Sequence, residues 1–206
     1  MSLNIDEFQP PMVAILRGLS AVEAPAVAEV LFACGFRLLE VPLNRPGALE
    51  CISIINSLKP PDALVGGGTM LTVGDVELVR QHGGRIMVAP NFNADVIRHA
   101  KDLDMLAVPG VATPTEALAA LAAGADAIKW FPAEALGLAG LRSVKTILPG
   151  GARVWPVGGV SAGNLRDWRL AGADGFGIGG RLYEPGVTLS ELEGRARELI
   201  AAWRTG

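Results

Sequence analysis

With 206 residues, half of them hydrophobic and 19% charged, the chain is built to bury one sizeable core rather than to stay disordered. A net charge of −3, without long runs of one sign, excludes the basic stripe that nucleic-acid binding needs. Mean hydropathy is positive, but Pro, Gly, Asp and Glu break every apolar run short of the roughly 18 residues a membrane span requires, so no membrane partner is expected.

Met1 to Pro11 carries Asp6 and Glu7 and no apolar stretch, so it reads as a lead-in segment and not as a secretory leader. Beyond it two signatures alternate. In the first, an apolar run ends in Gly and a Ser or Thr then opens a helix: Ile15-Leu16-Arg17-Gly18 before Ser20, Gly66-Gly67-Gly68 before Thr72, Val108-Pro109-Gly110 before Thr113, and Val157-Gly158-Gly159 before Ser161. Ser20 with Glu23 and Thr113 with Glu116 have capping-box spacing, and Pro114 takes the favoured first helical position. In the second, a helix closes on Gly and a strand follows at once, at Gly35, Gly83, Gly124 and Gly172.

This alternation predicts eight strands, near 12–17, 37–42, 63–68, 85–90, 105–109, 126–131, 153–157 and 174–179, each followed by a helix. Strict strand–helix alternation implies a parallel sheet, and eight units close into a (βα)8 barrel of the TIM type, an α/β fold spanning 1–206 as one domain with short loops. An open doubly wound sheet would show fewer units and one phosphate fingerprint at its first turn. Cys34 and Cys51 fall in predicted helices and read as free thiols of a cytoplasmic protein.

In such barrels chemistry gathers at the C-terminal strand ends. The polar residues predicted there are Arg17, Glu40, Asn44, Arg45, Thr69, Asn91 and Lys129, with Glu134 slightly further out. Both histidines fall on helices and the mouth offers one well-placed carboxylate, so no metal site is expected. Of the four lysines only Lys129 lies inside a strand, where alternation turns Ala127, Lys129 and Phe131 inward and Ile128 and Trp130 toward the helices. An ammonium placed there is desolvated, which frees the amine as a nucleophile toward carbonyls. Glu40 faces inward from the second strand. The two side chains read equally as a buried ion pair or as a nucleophile with its proton shuttle. Arg17 suits a substrate carboxylate or phosphate, or serves as counter-ion to Glu40. Thr69 can add a donor for the same anion. Gly158-Gly159 and Gly179-Gly180 follow the last two strands, where many barrels bind phosphate through backbone N–H groups, and a helix predicted to open at Ser161 would face the same spot.

Leu39-Glu40-Val41-Pro42-Leu43-Asn44, Gly67-Gly68-Thr69, Ala89-Pro90-Asn91, Ile128-Lys129-Trp130-Phe131-Pro132-Ala133-Glu134 and Val157-Gly158-Gly159-Val160 together resemble the class I 2-keto-3-deoxy-6-phosphogluconate aldolase family, in order and spacing, from about residue 11 onward. The resemblance implies a lysine-imine aldolase, usually a homotrimer, that splits a phosphorylated 2-keto-3-deoxy sugar acid into pyruvate and D-glyceraldehyde 3-phosphate with no cofactor beyond the covalent imine. It assigns Lys129 to the imine and Glu40 to acid–base work. Arg17, Thr69, Pro90 and Phe131 fall to the pyruvyl end, and Gly158, Gly159, Gly179 and Gly180 to the phosphate.

Gluconate-specific members commonly have Thr-Leu-Arg after the glutamate and Thr before the phosphate glycines. Pro42-Leu43-Asn44 and Val157 stand there instead and look like the 6-phosphogalactonate branch, whose substrate differs at C4. Arg45, one place beyond Asn44, keeps a guanidinium in reach, so Val157, Asn44 and Arg45 are the candidates for specificity. The gluconate epimer, a phosphosugar isomerase or synthase on the same barrel, and a non-catalytic phosphometabolite-binding module are the alternatives.

Overall fold

The computed structural model describes residues 3–205; the first two residues of the lead-in segment and Gly206 lie outside it. A 3-10 turn at Ile5–Glu7 precedes β1 (Met12–Ile15), and strands β2 (Leu38–Pro42), β3 (Leu64–Gly68), β4 (Ile86–Val88) and β5 (Leu106–Val108) follow, all parallel to their neighbours. β6 (Gly110–Val111), β7 (Ile128–Trp130), β8 (Val154–Pro156) and β9 (Phe176–Ile178) complete the set. The ladders run β5-β4-β3-β2-β1-β9 and β6-β7-β8. A bridge between Val157 and Gly177, and the Asp174 N–H donated to the Val154 carbonyl at 3.0 Å, tie β8 to β9 and close the ring.

Nine strands appear where eight were predicted because the fifth is cut at Pro109. Proline has no N–H to give a ladder. Gly110 then lies so close to the Pro90 backbone that a Cβ would overlap it. The Pro109 carbonyl still accepts the Lys129 N–H at 2.9 Å, so the two pieces act as one barrel stave.

Alternation along the staves sorts the core into two shells. Val13, Leu38, Leu64, Ile86, Val88, Leu106, Val108, Ala127 and Trp155 fill the barrel interior, and Ile5 and Phe8 of the lead-in segment join them. Met12, Ala14, Leu39, Val41, Val65, Met87, Ile128 and Trp130 pack outward against the helices α1 (Ala24–Cys34), α2 (Ala48–Leu58), α3 (Val73–Gln81), α4 (Ala94–Asp102), α5 (Pro114–Ala122), α6 (Ala133–Lys145), α7 (Leu165–Leu170) and α8 (Leu189–Thr205). None of these helices is long and apolar enough to cross a membrane. Cys34 and Cys51 are buried free thiols.

The punctuation largely behaves as its chemistry dictates. Gly35, Gly83, Gly124 and Gly172 all adopt positive φ after their helices. Thr72 with Asp75, and Thr113 with Glu116, form complete capping boxes. Two helix starts differ from expectation. Ser20 does bond Glu23, but α1 begins only at Ala24, after a turn. Likewise Ser161 opens a turn held by the Asn164 side chain, and α7 starts at Leu165.

A device repeats at the end opposite the mouth. Asp126 accepts from the Lys101 ammonium (2.6 Å) and the Ala107 N–H (2.8 Å), and Asp174 accepts from the Lys145 ammonium and the Val154 N–H, both at 2.8 Å. Both lysines are therefore committed to the scaffold.

Candidate active site

The barrel interior is apolar except at two positions. Among the described residues, Glu40 (2% exposed) and Lys129 (7% exposed) are the buried charged side chains. They project from β2 and β7 into one void walled by Val13, Ile15, Val88, Val108, Trp155 and Val157. Yet they form no ion pair within 4.0 Å of each other, and Glu40 Oε2 has no hydrogen-bond partner. Two desolvated charges that do not neutralise each other by contact are costly to keep. That cost is hard to justify in a scaffold and readily justified in a reaction centre.

Burial shifts both groups. Desolvation pushes the Glu40 carboxyl up to about 7, outweighing the opposing pull of Lys129 and Arg17. Desolvation also holds the Lys129 ammonium below the usual lysine range, with Arg17 adding to the effect and Glu40 opposing it. The Lys129 ammonium lies 4.7 Å from the centre of the Phe131 ring, the inward neighbour two residues on. An amine that gives up its proton more readily than an ordinary lysine and a carboxyl that titrates near neutrality are the two groups that imine chemistry calls for. We expect kcat/KM for the reaction at this site to fall about tenfold per unit below roughly pH 7, where Glu40 takes up the proton that stops it acting as a base. A pH–rate profile measures this, and the limb should vanish in Glu40→Gln.

The position of Glu40 depends on a glycine. Glu40 pairs in register with Gly66, but its side chain leans toward the mouth and lays its carboxylate against the Gly68 α-carbon, where a Cβ would fall inside the carboxylate group. Glycine-rich turns are common, and the sequence alone offers no reason to single out Gly68; only the strand register reveals its task. Gly68→Ala should therefore displace Glu40 and cost about 10²-fold in turnover, nearly as much as removing the Glu40 carboxylate. Steady-state kinetics with circular dichroism separates this from unfolding. Thr69, next in sequence, is β-branched yet held at φ 55°, a strained conformation worth on the order of 1–3 kcal/mol.

The other predicted residues divide. Arg17 lies two residues past the end of β1, exposed, and its charge reaches both Glu40 and Lys129. It forms no ion pair within 4.0 Å with Glu40. Arg17, Phe131, Val157, Gly158, Gly159, Gly179 and Gly180 line a cavity of about 340 Å³, which shares Ile15, Val157 and Gly177 with the void holding the charged pair. Gly158 and Gly159 take φ 104° and 69°, values only glycine adopts freely. The N–H groups of Gly159, Val160, Gly180 and Arg181 donate to no acceptor among the described residues. Pro90 borders the β6–β7 strand pair through Gly110, which is in register with Lys129. Asn44 and Arg45 are exposed on the loop after β2 and line neither space. Glu134, at the start of α6, brings its carboxylate to about 3 Å from where a Cβ on Gly158 or Gly159 would stand. That proximity has no signature in the sequence.

Comparison with known proteins places this arrangement. The family model "Aldolase: KDPG and KHG aldolase" matches residues 8–191. The chain belongs to that family. This aldolase is therefore a carbon–carbon lyase. It is 44% identical over 201 residues to the "Probable 2-dehydro-3-deoxy-6-phosphogalactonate aldolase" of Rhizobium meliloti, covering 98% of this chain and 95% of that one. It superposes with TM-score 0.94 on a solved structure described as "Native KDPGal structure", at 37% identity and covering 99% and 98% of the two chains. A KDPG aldolase from Legionella pneumophila "with pyruvate captured at low pH as a covalent carbinolamine intermediate" superposes with TM-score 0.79 at 26% identity, covering 95% and 93%.

Proposed function

We propose that this aldolase cleaves 2-dehydro-3-deoxy-6-phosphogalactonate to pyruvate and D-glyceraldehyde 3-phosphate through an imine on Lys129. One observation carries the chemistry: a buried lysine and a buried carboxylate share one void at the barrel mouth without pairing. The covalent carbinolamine in the Legionella relative supports the same chemistry here.

In this reading neutral Lys129 attacks the C2 ketone. Glu40 relays protons as the carbinolamine loses water and becomes a protonated imine. Glu40, as carboxylate, then accepts the C4 hydroxyl proton. The electron pair of that O–H forms the C4 carbonyl, the C3–C4 bond breaks, and its electrons pass to the imine nitrogen as an enamine. Protonation at C3 and hydrolysis by water release pyruvate and return the free amine. The protonated imine is itself the electron sink, so the scheme calls on no metal or organic cofactor. Arg17 holds the C1 carboxylate near the lysine, with Thr69, Pro90 and Phe131 shaping that end, and the glycine turns receive the phosphate at the other. Fixing both anionic ends aligns the C3–C4 bond, a positioning effect worth several kcal/mol.

The galactonate epimer is favoured by the wall of the site. Val157 is buried and lines both spaces, presenting methyl groups where a threonine would offer a hydroxyl. The name of the Rhizobium relative agrees. A coupled assay for pyruvate with both C4 epimers tests it: we expect the galactonate epimer to lead in kcat/KM by about tenfold or more, and a lead for the gluconate epimer would overturn the assignment. Homotrimeric assembly and a cytoplasmic location belong to the same proposal, and sedimentation velocity reads the first directly.

A further inference from the structure

We propose that Arg181 is the cation that holds the substrate phosphate in this chain, a role distinct from that of Arg17; the assignment rests on the aldolase reading above. The cavity beside the catalytic void carries two guanidinium groups, Arg17 and Arg181. Arg17 acts on both Lys129 and Glu40, which places it toward the carboxylate end of a bound keto acid. Arg181 directly follows the Gly179-Gly180 turn and also lines the larger outer cavity that shares Gly159 and Gly180 with the inner one. It therefore stands where the two glycine turns meet, at the end away from the amine.

Arg181 is free to take a ligand. It is exposed, and no carboxylate of a described residue lies within 4.0 Å of it. The other arginine of the outer cavity, Arg195, is occupied by Glu184 at 3.2 Å through both terminal nitrogens. Space is available as well. A Cβ at Gly180 would meet nothing within 4 Å, so the fold does not demand glycine there, and the open face adjoins the undonated N–H groups of Gly180 and Arg181.

The charge balance makes the residue necessary. The outer cavity carries the carboxylates of Glu134, Glu184 and Glu198 against the guanidinium groups of Arg181 and Arg195. Glu134 lies against the very turn that would receive the phosphate. Backbone N–H groups alone would have to bind a dianion beside that carboxylate. A guanidinium at 181 offsets the repulsion and supplies forked, charge-assisted hydrogen bonds.

The test compares kcat/KM for the phosphorylated keto acid with that for the same acid lacking the phosphate, in wild type, Arg181→Gln and Arg181→Lys. Arg181→Gln should lower the preference for the phosphorylated acid by about 10- to 100-fold, expressed mainly in KM, and Arg181→Lys should recover much of it. An unchanged preference in Arg181→Gln, or equal losses on both substrates, would overturn the assignment. Exchange of the pyruvate methyl protons, which involves no phosphate, keeps the two claims apart. Wild-type protein that exchanges none refutes the aldolase reading and this assignment with it, whereas normal exchange with an unchanged preference refutes Arg181 alone.

Discussion

Lys129→Met should lose aldol cleavage by about 10⁴-fold or more while the barrel stays folded. No other lysine is placed to substitute. Lys101 and Lys145 are held by Asp126 and Asp174 at the far end of the barrel, and Lys59 caps the end of α2. Methionine fills nearly the same volume in a void walled by Val88, Val108, Trp155 and Val157, and it removes a desolvated amino group that pairs with no carboxylate. Thermal stability should therefore hold or rise. Kinetics and a melting curve on the same sample read both halves. An unfolded variant would show that Lys129 serves the scaffold, and a folded, active one that the imine does not form there.

The second large effect is expected at Glu40. Glu40→Gln should reduce turnover by about 10²- to 10⁴-fold, the usual worth of a positioned acid–base group. Stability should move the other way, with a sign set by linkage. The folded-state carboxyl is raised from 4.5 to about 7, so the native state binds more protons than the unfolded state between those values. Its stabilising contribution is complete below pH 4.5 and is lost as pH rises through 7. Wild type should then lose on the order of 2 kcal/mol across that window relative to the glutamine variant. Denaturant melts at pH 5 and pH 8 measure the difference. A variant with full activity and no change in this slope would make Glu40 an ordinary buried polar residue.

Much of the fold is legible in the sequence because each quarter of the barrel is written with the same punctuation. A glycine that must take positive φ closes each helix before an even-numbered stave, and Thr or Asn side chains cap the starts of α3, α4, α5 and α8. What the sequence conceals depends on register and on distant neighbours. The break at Pro109 reflects the close approach of Gly110 to the Pro90 backbone. The late start of α7 reflects Asn164, not Ser161, accepting the turn's N–H. At the site, Lys129 and Glu40 are conspicuous as charges in apolar strands, and period-two alternation is enough to turn both inward. Gly68 is different. Its function is to lack a side chain where Glu40 lies, and that is visible only once β2 and β3 are aligned. Arg181 is hidden for a related reason, since an arginine after two glycines acquires meaning only when the turns of β8 and β9 are brought together.

Covalent imine formation between Lys129 and the keto acid can be trapped by incubation with pyruvate and borohydride, followed by digestion and mass spectrometry of the peptides. The reduced pyruvate adduct should appear on Lys129 and be absent from Lys129→Met; no adduct at all, or one on Lys59, Lys101 or Lys145, would contradict it.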